Sequence, residues 1–156
     1  MDNQNRRVIG RFTGPYDFLS NFFPCRVTFY GMTFPSVEAA FQAAKCADPK
    51  ERARFLTLTP AQAKRLGRRI RMRPDWDARK LTIMHNLLVH KFEENPDLVP
   101  KLLDTGGAVL VEGNTWHDNF WGSCICPRCS GERGRNHLGR LLMQLRACYI
   151  TKVGGQ

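Results

Sequence analysis

The segment from Phe34 to Cys46, FPSVEAAFQAAKC, constrains the fold more than any other stretch of the chain. Its apolar residues recur at intervals of three and four, a spacing that places them on one stripe of an α-helix. A stripe of this kind has to face a hydrophobic core, so the segment predicts a helix around which other elements pack. The stripe consists of Val37, Ala40, Phe41 and Ala44.

A polar edge runs beside this stripe, formed by Glu38, Gln42 and Lys45. Side chains four and seven positions apart lie close in angle on a helix, so a carboxylate, an amide and an amine share one arc. A purely structural interpretation is also open. Ser36 is a natural N-cap, and a helix dipole favours Glu38 in the first turn and Lys45 near the last.

Length and composition predict one domain over residues 1–156, with a core of about 7–150. At 156 residues and 42% hydrophobic content, the chain is long enough for one substantial core. It contains no run of roughly 18 apolar residues, which predicts that nothing spans a membrane. No apolar segment of the signal-peptide type follows the first arginines, so we expect a cytoplasmic protein.

The positive charge of the chain favours partners that carry phosphate. Twenty-four Lys and Arg residues against fourteen Asp and Glu give a formal net charge of +10. Such a charge raises encounter rates with polyanions without identifying the partner. The densest basic run is KRLGRRIRMR, residues 64–73, which suits either a solvated face or a phosphate-facing one.

Helix-start signals predict a mostly helical α+β fold with a small β-sheet. In these signals an N-cap residue precedes a proline at the first helical position. The predicted helices are Pro49–Leu56, Pro60–Leu66 ended by Gly67, Pro74 to about Glu94, one after Asn95-Pro96 ending at Gly106-Gly107, and one capped by Asn136 through about Tyr149. The long helix should bury Leu81, Met84, Leu88 and Phe92, and the last one Leu138, Leu141, Leu142 and Leu145.

Strand signals are fewer and shorter. Arg26–Tyr30 and Met32–Phe34 flank Gly31 and predict a hairpin. Arg7–Phe12 and Ala108–Glu112 read as single strands. The aromatic stretch YDFLSNFFPC and the segment Asn114–Cys129 show no sustained period, so we expect structured loops there.

Three of the six cysteines lie close together, as Cys124, Cys126 and Cys129. Three thiolates at this spacing can bind zinc, but a closed site needs a fourth ligand. Cys25, Cys46, His117 or His137 could serve only if the fold brings one of them close. A loop of reduced thiols is the alternative. Cys25, Cys46 and Cys148 are scattered and resemble small core residues.

The segment from Asn114 to Gly122 carries aromatic and polar groups typical of a nucleoside pocket. Trp116 and Trp121 offer flat faces for stacking a base, whereas Asn114, Asp118 and Asn136 offer hydrogen bonds to sugar hydroxyls. A tryptophan-anchored loop with capping polar residues is the alternative. Ser-His-Asp, P-loop, GxGxxG and HExxH patterns are absent from the sequence, so those enzyme classes lack support.

In order along the chain, these pieces resemble the NADAR superfamily of YbiA-like domains. The matching stretches cover nearly the whole chain, so no single short motif carries the resemblance. They are YDFLSNFFP at 16–24, FPSVEAAFQAAKC at 34–46, LGR at 66–68, MRPDWD at 72–77, KFEENPDL at 91–98, LVE at 110–112, DNFWG at 118–122 and GRNHLGRLLMQLR at 134–146.

The resemblance implies the YbiA-like fold and an N-glycosidase that cleaves ribose from an amino nitrogen, with no required cofactor. Some family members act on phosphoribosylamino-pyrimidine intermediates of riboflavin synthesis. Others remove ADP-ribose from the exocyclic amine of guanine, in part as antitoxins to DNA-modifying ADP-ribosyltransferases. In both substrates the sugar carbon is bonded to an N–H nitrogen, so the ring can open to an imine that a neutral lysine can attack.

By matching position, the resemblance implies that Lys45 is the nucleophile and Glu38 the acid and base, with Gln42 orienting. It also implies further contacts with the substrate, for which the residues are Asn21, Asp118, Trp121 and Asn136 for ribose and base, and Arg68 and Arg73 for phosphate. Residues 124–133 form an insertion relative to shorter members, beside the pocket loop. Whether this insertion binds zinc stays an open question.

Three functions follow as hypotheses. The first is removal of ADP-ribose from guanine in DNA or a nucleotide, favoured by the +10 charge, with a cognate ADP-ribosyltransferase toxin as a partner. The second is cleavage of free riboflavin intermediates. The third is a non-catalytic ADP-ribose or nucleic-acid binding module, which would not need an amine at position 45.

Overall fold

The structure, a computed structural model, describes residues 6–129 and 131–155. The chain divides into two compact units. One is the continuous segment Asn21–Asp97, and the other combines the described residues of Met1–Ser20 and Leu98–Gln156. The prediction of a single domain over 1–156 stays a prediction.

The α+β class, mostly helical with little sheet, is confirmed. The strands pair two by two within the described residues. The helices are α1 Val37–Ala44, α2 Pro49–Ala53, α3 Pro60–Gly67, α4 Trp76–Glu94, α5 Leu98–Asp104 and α6 His137–Gly154. The strands are β1 Val8–Ile9, β2 Val27–Phe29, β3 Met32–Phe34, β4 Val109–Leu110, β5 Gly113–Asn114 and β6 Ser123–Cys124.

In the unit Asn21–Asp97, the predicted hairpin is confirmed as the antiparallel pair of β2 and β3. Tyr30 and Gly31 at its turn have φ angles of 50° and 73°. Positive φ at both central residues is typical of the tight turns that join twisted strands. The backbone N–H of Thr28 donates to Glu94 Oε2 at 2.7 Å, which ties the hairpin to the end of α4.

Helix α1 is the buried centre of this unit, as its sequence predicts. All eight of its residues are buried, and it packs against α2, α3, α4 and the hairpin. Ser36 Oγ accepts a hydrogen bond from the backbone N–H of Ala39 at 3.1 Å, so the predicted N-cap is confirmed. Lys45 is the C-cap residue, one position beyond the last helical turn.

The neighbouring helices begin at the predicted caps, with small corrections at their other bounds. Asp48 caps α2, and Thr59 with Gln62 forms a capping box at α3. Helix α2 ends at Ala53, before the predicted Leu56, and α4 begins at Trp76, after the predicted Pro74.

The predicted core stripe of α4 is wrong at Leu81, which is 39% exposed, whereas Met84, Leu88 and Phe92 are buried. Ile83 and Leu87 are buried as well. The buried stripe is therefore centred between Met84 and Leu87, and Leu81 lies at its edge.

In the other unit, β1 pairs in parallel with β4, so Val8 lies opposite Val109. The stretch predicted as a structured loop instead begins with a 3-10 helix, Gly14–Leu19, that buries Phe18 and Leu19. Helices α5 and α6 pack together. The guanidinium of Arg146 is buried and donates to Thr105 Oγ1 and the Ala108 carbonyl, both at 2.8 Å.

Several further expectations for this unit need correction. The segment predicted as a loop after Asn114 includes β6, which pairs in parallel with β5. Leu141 is only half-buried and Cys148 is exposed, so neither is a core residue. None of the described helices is long and apolar enough to cross a membrane.

Candidate active site

A buried pair of polar side chains lies on α1, in the unit Asn21–Asp97. Glu38 and Gln42 are 8% and 6% exposed, and Gln42 Nε2 donates to Glu38 Oε1 at 2.9 Å. The backbone N–H of Glu38 donates to the carbonyl of Asn21 at 3.0 Å. The structure therefore brings together three of the predicted site residues, Glu38 and Gln42 on α1 and Asn21 from the segment before the hairpin.

Two side-chain oxygens, one of Gln42 and one of Asn21, accept no hydrogen bond within the part of the chain that the structure describes. Asn21 Oδ1 and Gln42 Oε1 are buried and have no hydrogen-bond partner among the described residues. The amide of Asn21 does donate, since its Nδ2 lies 3.6 Å from Met84 Sδ. An unsatisfied buried acceptor costs about 1–3 kcal/mol. Because both oxygens are almost fully buried, a ligand that offers hydroxyl or amine donors can reach either one only after its side chain moves.

Gly67, at the end of α3, makes room for the Gln42 amide. A Cβ at position 67 would lie 1.9 Å from Gln42 Oε1 and 2.7 Å from Gln42 Cδ. No atom can approach another that closely without displacement, so any larger residue would move the amide. The LGR motif therefore contains a packing requirement that its sequence alone does not reveal.

Lys45 is half-buried, and its amine lies over the ring of Trp76 with Nζ 5.8 Å from the ring centroid. Burial lowers the pKa of Lys45 below its ordinary 10.5, and the positive charges of Arg68 and Lys80 lower it further. The charge of Glu38 opposes this shift without reversing it. A lowered pKa increases the fraction of neutral, nucleophilic amine at a given pH.

The two arginines predicted for phosphate differ in how they are held. Arg68 is exposed at the end of α3. Arg73 donates to both carboxylate oxygens of Asp75, at 2.5 and 2.9 Å, and to the Tyr30 hydroxyl at 3.0 Å. Those hydrogen bonds raise the pKa of Arg73 and lower that of Asp75. The Arg73 guanidinium is thus already engaged.

Asp118 and Trp121 belong to the other unit, where Asp118 supports the loop that follows it. Asp118 Oδ1 accepts from the backbone N–H groups of Phe120 and Trp121, at 3.1 and 2.9 Å. Asn114 holds the same turn by donating to the Asp118 carbonyl at 2.7 Å. The Trp121 ring packs edge-on against Phe120, with centroids 4.8 Å apart.

Asn136 occupies the predicted N-cap position of α6, but its side chain makes no capping hydrogen bond. Its φ of 51° is left-handed, and its amide instead binds one backbone group at the end of β4 and one just after it. Nδ2 donates to the Leu110 carbonyl at 2.8 Å, and Oδ1 accepts from the Glu112 N–H at 3.0 Å. The substrate contacts predicted for Asp118, Trp121 and Asn136 stay predictions.

A cluster of metal-ligand type lies in the same unit. The imidazole of His117 and the thiols of Cys124, Cys126 and Cys129 have ligand atoms that all lie within 4.8 Å of one another. Of the four residues considered as a fourth ligand, His117 is the one that the structure brings to the three cysteines.

Sequence reasoning missed two features of the site, Gly67 and Trp76. Both lie inside stretches that the sequence singles out, LGR and MRPDWD, but their contacts with Gln42 and Lys45 depend on how helices pack. The Trp76 ring also packs on Phe41, with centroids 4.9 Å apart.

Comparison with known proteins identifies relatives along most of the chain. The family model of the NADAR domain matches residues 10–148. An N-glycosidase, YbiA of Escherichia coli, is 38% identical over 84% of this chain and 80% of its own length. The solution NMR structure of Escherichia coli YbiA superimposes with a TM-score of 0.80 at 32% identity, covering 98% of this chain and 91% of that one.

A longer relative is the riboflavin biosynthesis protein of Vibrio vulnificus, 37% identical over 84% of this chain. The chain spans only 35% of that protein's length. Similarity to it therefore concerns one part of a larger protein.

Proposed function

The chain belongs to the NADAR domain family, and from this membership we propose that it is an enzyme, an N-glycosidase that hydrolyses the bond between a ribose carbon and an amino nitrogen. The similarity to YbiA, which is named an N-glycosidase, supports the reaction class. No cofactor is needed for the chemistry proposed below.

The observation that carries the proposal is the state of Lys45. Its amine is half-buried, lies against an aromatic ring and has a lowered pKa, with the buried carboxylate of Glu38 on the same helix. Lysines in such surroundings serve as nucleophiles toward carbonyl and imine carbons. A lysine retained only to complement the helix dipole would not need burial.

The proposed reaction begins when the N–H nitrogen of the substrate opens the ribose ring to an imine, while the ring oxygen takes up a proton. Neutral Lys45 then adds its Nζ to the former anomeric carbon. The C–N bond to the base breaks, the base leaves as a free amine after protonation, and a Schiff base joins Lys45 to the sugar.

Water then hydrolyses this Schiff base, which releases the sugar and restores the lysine amine, so the net reaction consumes one water. We assign the proton transfers to Glu38, whose carboxylate is held by Gln42. Rotation of the Asn21 or Gln42 amide would let its unsatisfied oxygen accept a hydrogen bond from a sugar hydroxyl.

As substrate we propose first ADP-ribose attached to the exocyclic amine of guanine, in DNA or in a nucleotide. The net charge of +10 and the exposed Arg68 next to the site favour a ligand with several phosphates. In duplex DNA the modified base would have to be flipped out or single-stranded to reach a half-buried lysine. An ADP-ribosyltransferase that modifies DNA is the partner that this activity implies.

A second candidate is a phosphoribosylamino-pyrimidine of riboflavin synthesis. The observation in its favour is the similarity to the riboflavin biosynthesis protein of Vibrio vulnificus. The same lysine chemistry applies, since this sugar is also bonded to an N–H nitrogen. It carries one phosphate, so it makes less use of the basic surface.

The test compares wild-type protein, Lys45→Ala and Lys50→Ala on both substrates. Lys50 is an exposed lysine of α2 and serves as the matched control. We expect Lys45→Ala to lose about 10³-fold or more in kcat while Lys50→Ala stays at the wild-type level. Borohydride added during turnover should trap the sugar on Lys45, detected as a mass increase on the peptide that contains it.

The outcomes separate the alternatives. Cleavage of the pyrimidine substrate with no release of ADP-ribose from guanine would replace the first substrate with the second. Full activity of Lys45→Ala on either substrate would refute the lysine mechanism. Binding of ADP-ribose without cleavage of any substrate, by both wild type and variant, would identify a binding module instead of an enzyme.

A further inference from the structure

The segment between β5 and α6 contains four potential metal ligands in a compact arrangement. They are supplied by one histidine and three cysteines spread over thirteen residues, and their ligand atoms lie within 4.8 Å of one another. Two come from a Cys-Pro-Arg-Cys sequence, the spacing that zinc knuckles use. The thiols are free, without a disulfide among them.

The separations between the imidazole nitrogen and the three sulfurs are close to the edges of a coordination tetrahedron. His117 Nδ1 lies 3.3 Å from Cys126 Sγ, 3.4 Å from Cys129 Sγ and 3.9 Å from Cys124 Sγ. Bonds of about 2.0 Å to nitrogen and 2.3 Å to sulfur, at the tetrahedral angle, require about 3.5 Å between the two ligand atoms. One metal ion therefore fits among these atoms without rearrangement of the backbone.

The backbone around the cluster is held in place by hydrogen bonds. Cys124 lies on β6, and its N–H donates to Asn119 Oδ1 at 2.8 Å. The Cys129 N–H donates to the Cys126 carbonyl at 3.1 Å, which closes the turn that carries both thiols. His117 has a φ of 67°, in the left-handed region where few residues other than glycine are found.

We propose that this loop is a structural zinc site, bound by one imidazole and three thiolates: His117, Cys124, Cys126 and Cys129. Tetrahedral nitrogen and sulfur donors favour zinc over magnesium, calcium or manganese. Four protein ligands fill the coordination sphere and leave no position for water, so the metal stabilises the fold and takes no part in the reaction. On binding, the thiols release their protons to solvent.

The loop needs such a cross-link because it has little apolar core of its own. Ile125 is 59% exposed and Trp116 is 57% exposed, while Cys126 and Cys129 are half-buried. Segments that cannot bury enough apolar surface are commonly stabilised by a metal or a disulfide. The immediate neighbour of His117 is Asp118, so zinc would also fix the turn that Asp118 supports.

Metal content of the purified full-length chain tests the site directly. We expect about one zinc per chain by elemental mass spectrometry for wild type, and less than a tenth of that for Cys126→Ser. Cys148→Ser, which removes an exposed thiol of α6 outside the cluster, should keep the wild-type content. Zinc at the wild-type level in Cys126→Ser would overturn the proposal.

A second measurement uses wild-type protein alone, so it does not depend on whether a variant folds. Metal-free protein under reducing conditions is titrated with Co²⁺ as a spectroscopic probe. We expect saturation at one equivalent, a near-ultraviolet thiolate-to-cobalt band and the intense visible bands of a tetrahedral ion, all lost on adding zinc. Absence of those bands would refute the zinc site.

Discussion

At the scale of single residues, the charges around Lys45 set the pH range in which it can act. Only the neutral amine attacks carbon, so the rate should rise with pH until the pH exceeds the pKa of Lys45 in the enzyme. Burial, Arg68 and Lys80 lower this pKa below 10.5, and Glu38 raises it. The rising limb of the pH profile should therefore have its midpoint below 10.5.

The substitution Arg68→Gln tests the direction in which this arginine shifts the pKa of Lys45. Removing a positive charge that disfavours the protonated amine should raise the pKa of Lys45, move the rising limb of kcat/KM to higher pH and reduce the rate at neutral pH. Arg69→Gln is the control, since Arg69 is exposed and is not among the groups that shift Lys45. A limb that moves to lower pH in Arg68→Gln would contradict the electrostatic interpretation.

The sequence predicts a side-chain contact well where the two residues are close together along the chain. Glu38 and Gln42 are four positions apart on one helix, so periodicity alone places them together, and their hydrogen bond is observed. Asn136 shows the opposite case. Its amide binds backbone groups more than twenty residues away, and no local pattern distinguishes that arrangement from an ordinary helix cap.

At the scale of elements, the packing of α1 against α3 controls where the Gln42 amide lies. Gly67→Ala would place a Cβ 1.9 Å from Gln42 Oε1, so the amide has to swing away and its bond to Glu38 is lost. Because only the end of a flexible side chain must move, we expect a stable fold but about 10²-fold lower kcat/KM.

Steady-state kinetics and a thermal unfolding curve measure these two effects separately. Gly107→Ala is the matched control, since a Cβ there meets nothing within 4 Å. Unchanged activity in Gly67→Ala would show that the Gln42 amide does not orient Glu38.

Elements were predictable where their signals are carried by neighbouring residues. The hairpin at Gly31 and the caps at Ser36, Asp48 and Thr59 follow from turn and capping preferences and are confirmed. Strands β1 and β4 lie inside the predicted strands Arg7–Phe12 and Ala108–Glu112, although only two residues of each form a pair. Strands β5 and β6, also two residues long, were not predicted. Strands so short leave no alternation to detect.

At the scale of the whole molecule, the net charge of +10 predicts a dependence on salt that differs between substrates. Binding to DNA displaces counterions, so kcat/KM on ADP-ribosylated DNA should fall roughly tenfold or more between 50 and 200 mM salt. A phosphoribosylamino-pyrimidine with one phosphate should lose much less. Equal salt dependence on both substrates would argue against recognition of the DNA backbone.

One unit is built from two segments that flank the other unit, and this order affects folding during synthesis on the ribosome. The segment Asn21–Asp97 is continuous and can fold as soon as it has emerged, whereas β1 must wait for β4. At about 5–20 residues per second, the 77 residues of that segment take roughly 4–15 s to be translated. Until β4 follows this segment out of the ribosome, β1 has no partner strand, so Ile9, which is 3% exposed in the folded chain, is accessible to a chaperone.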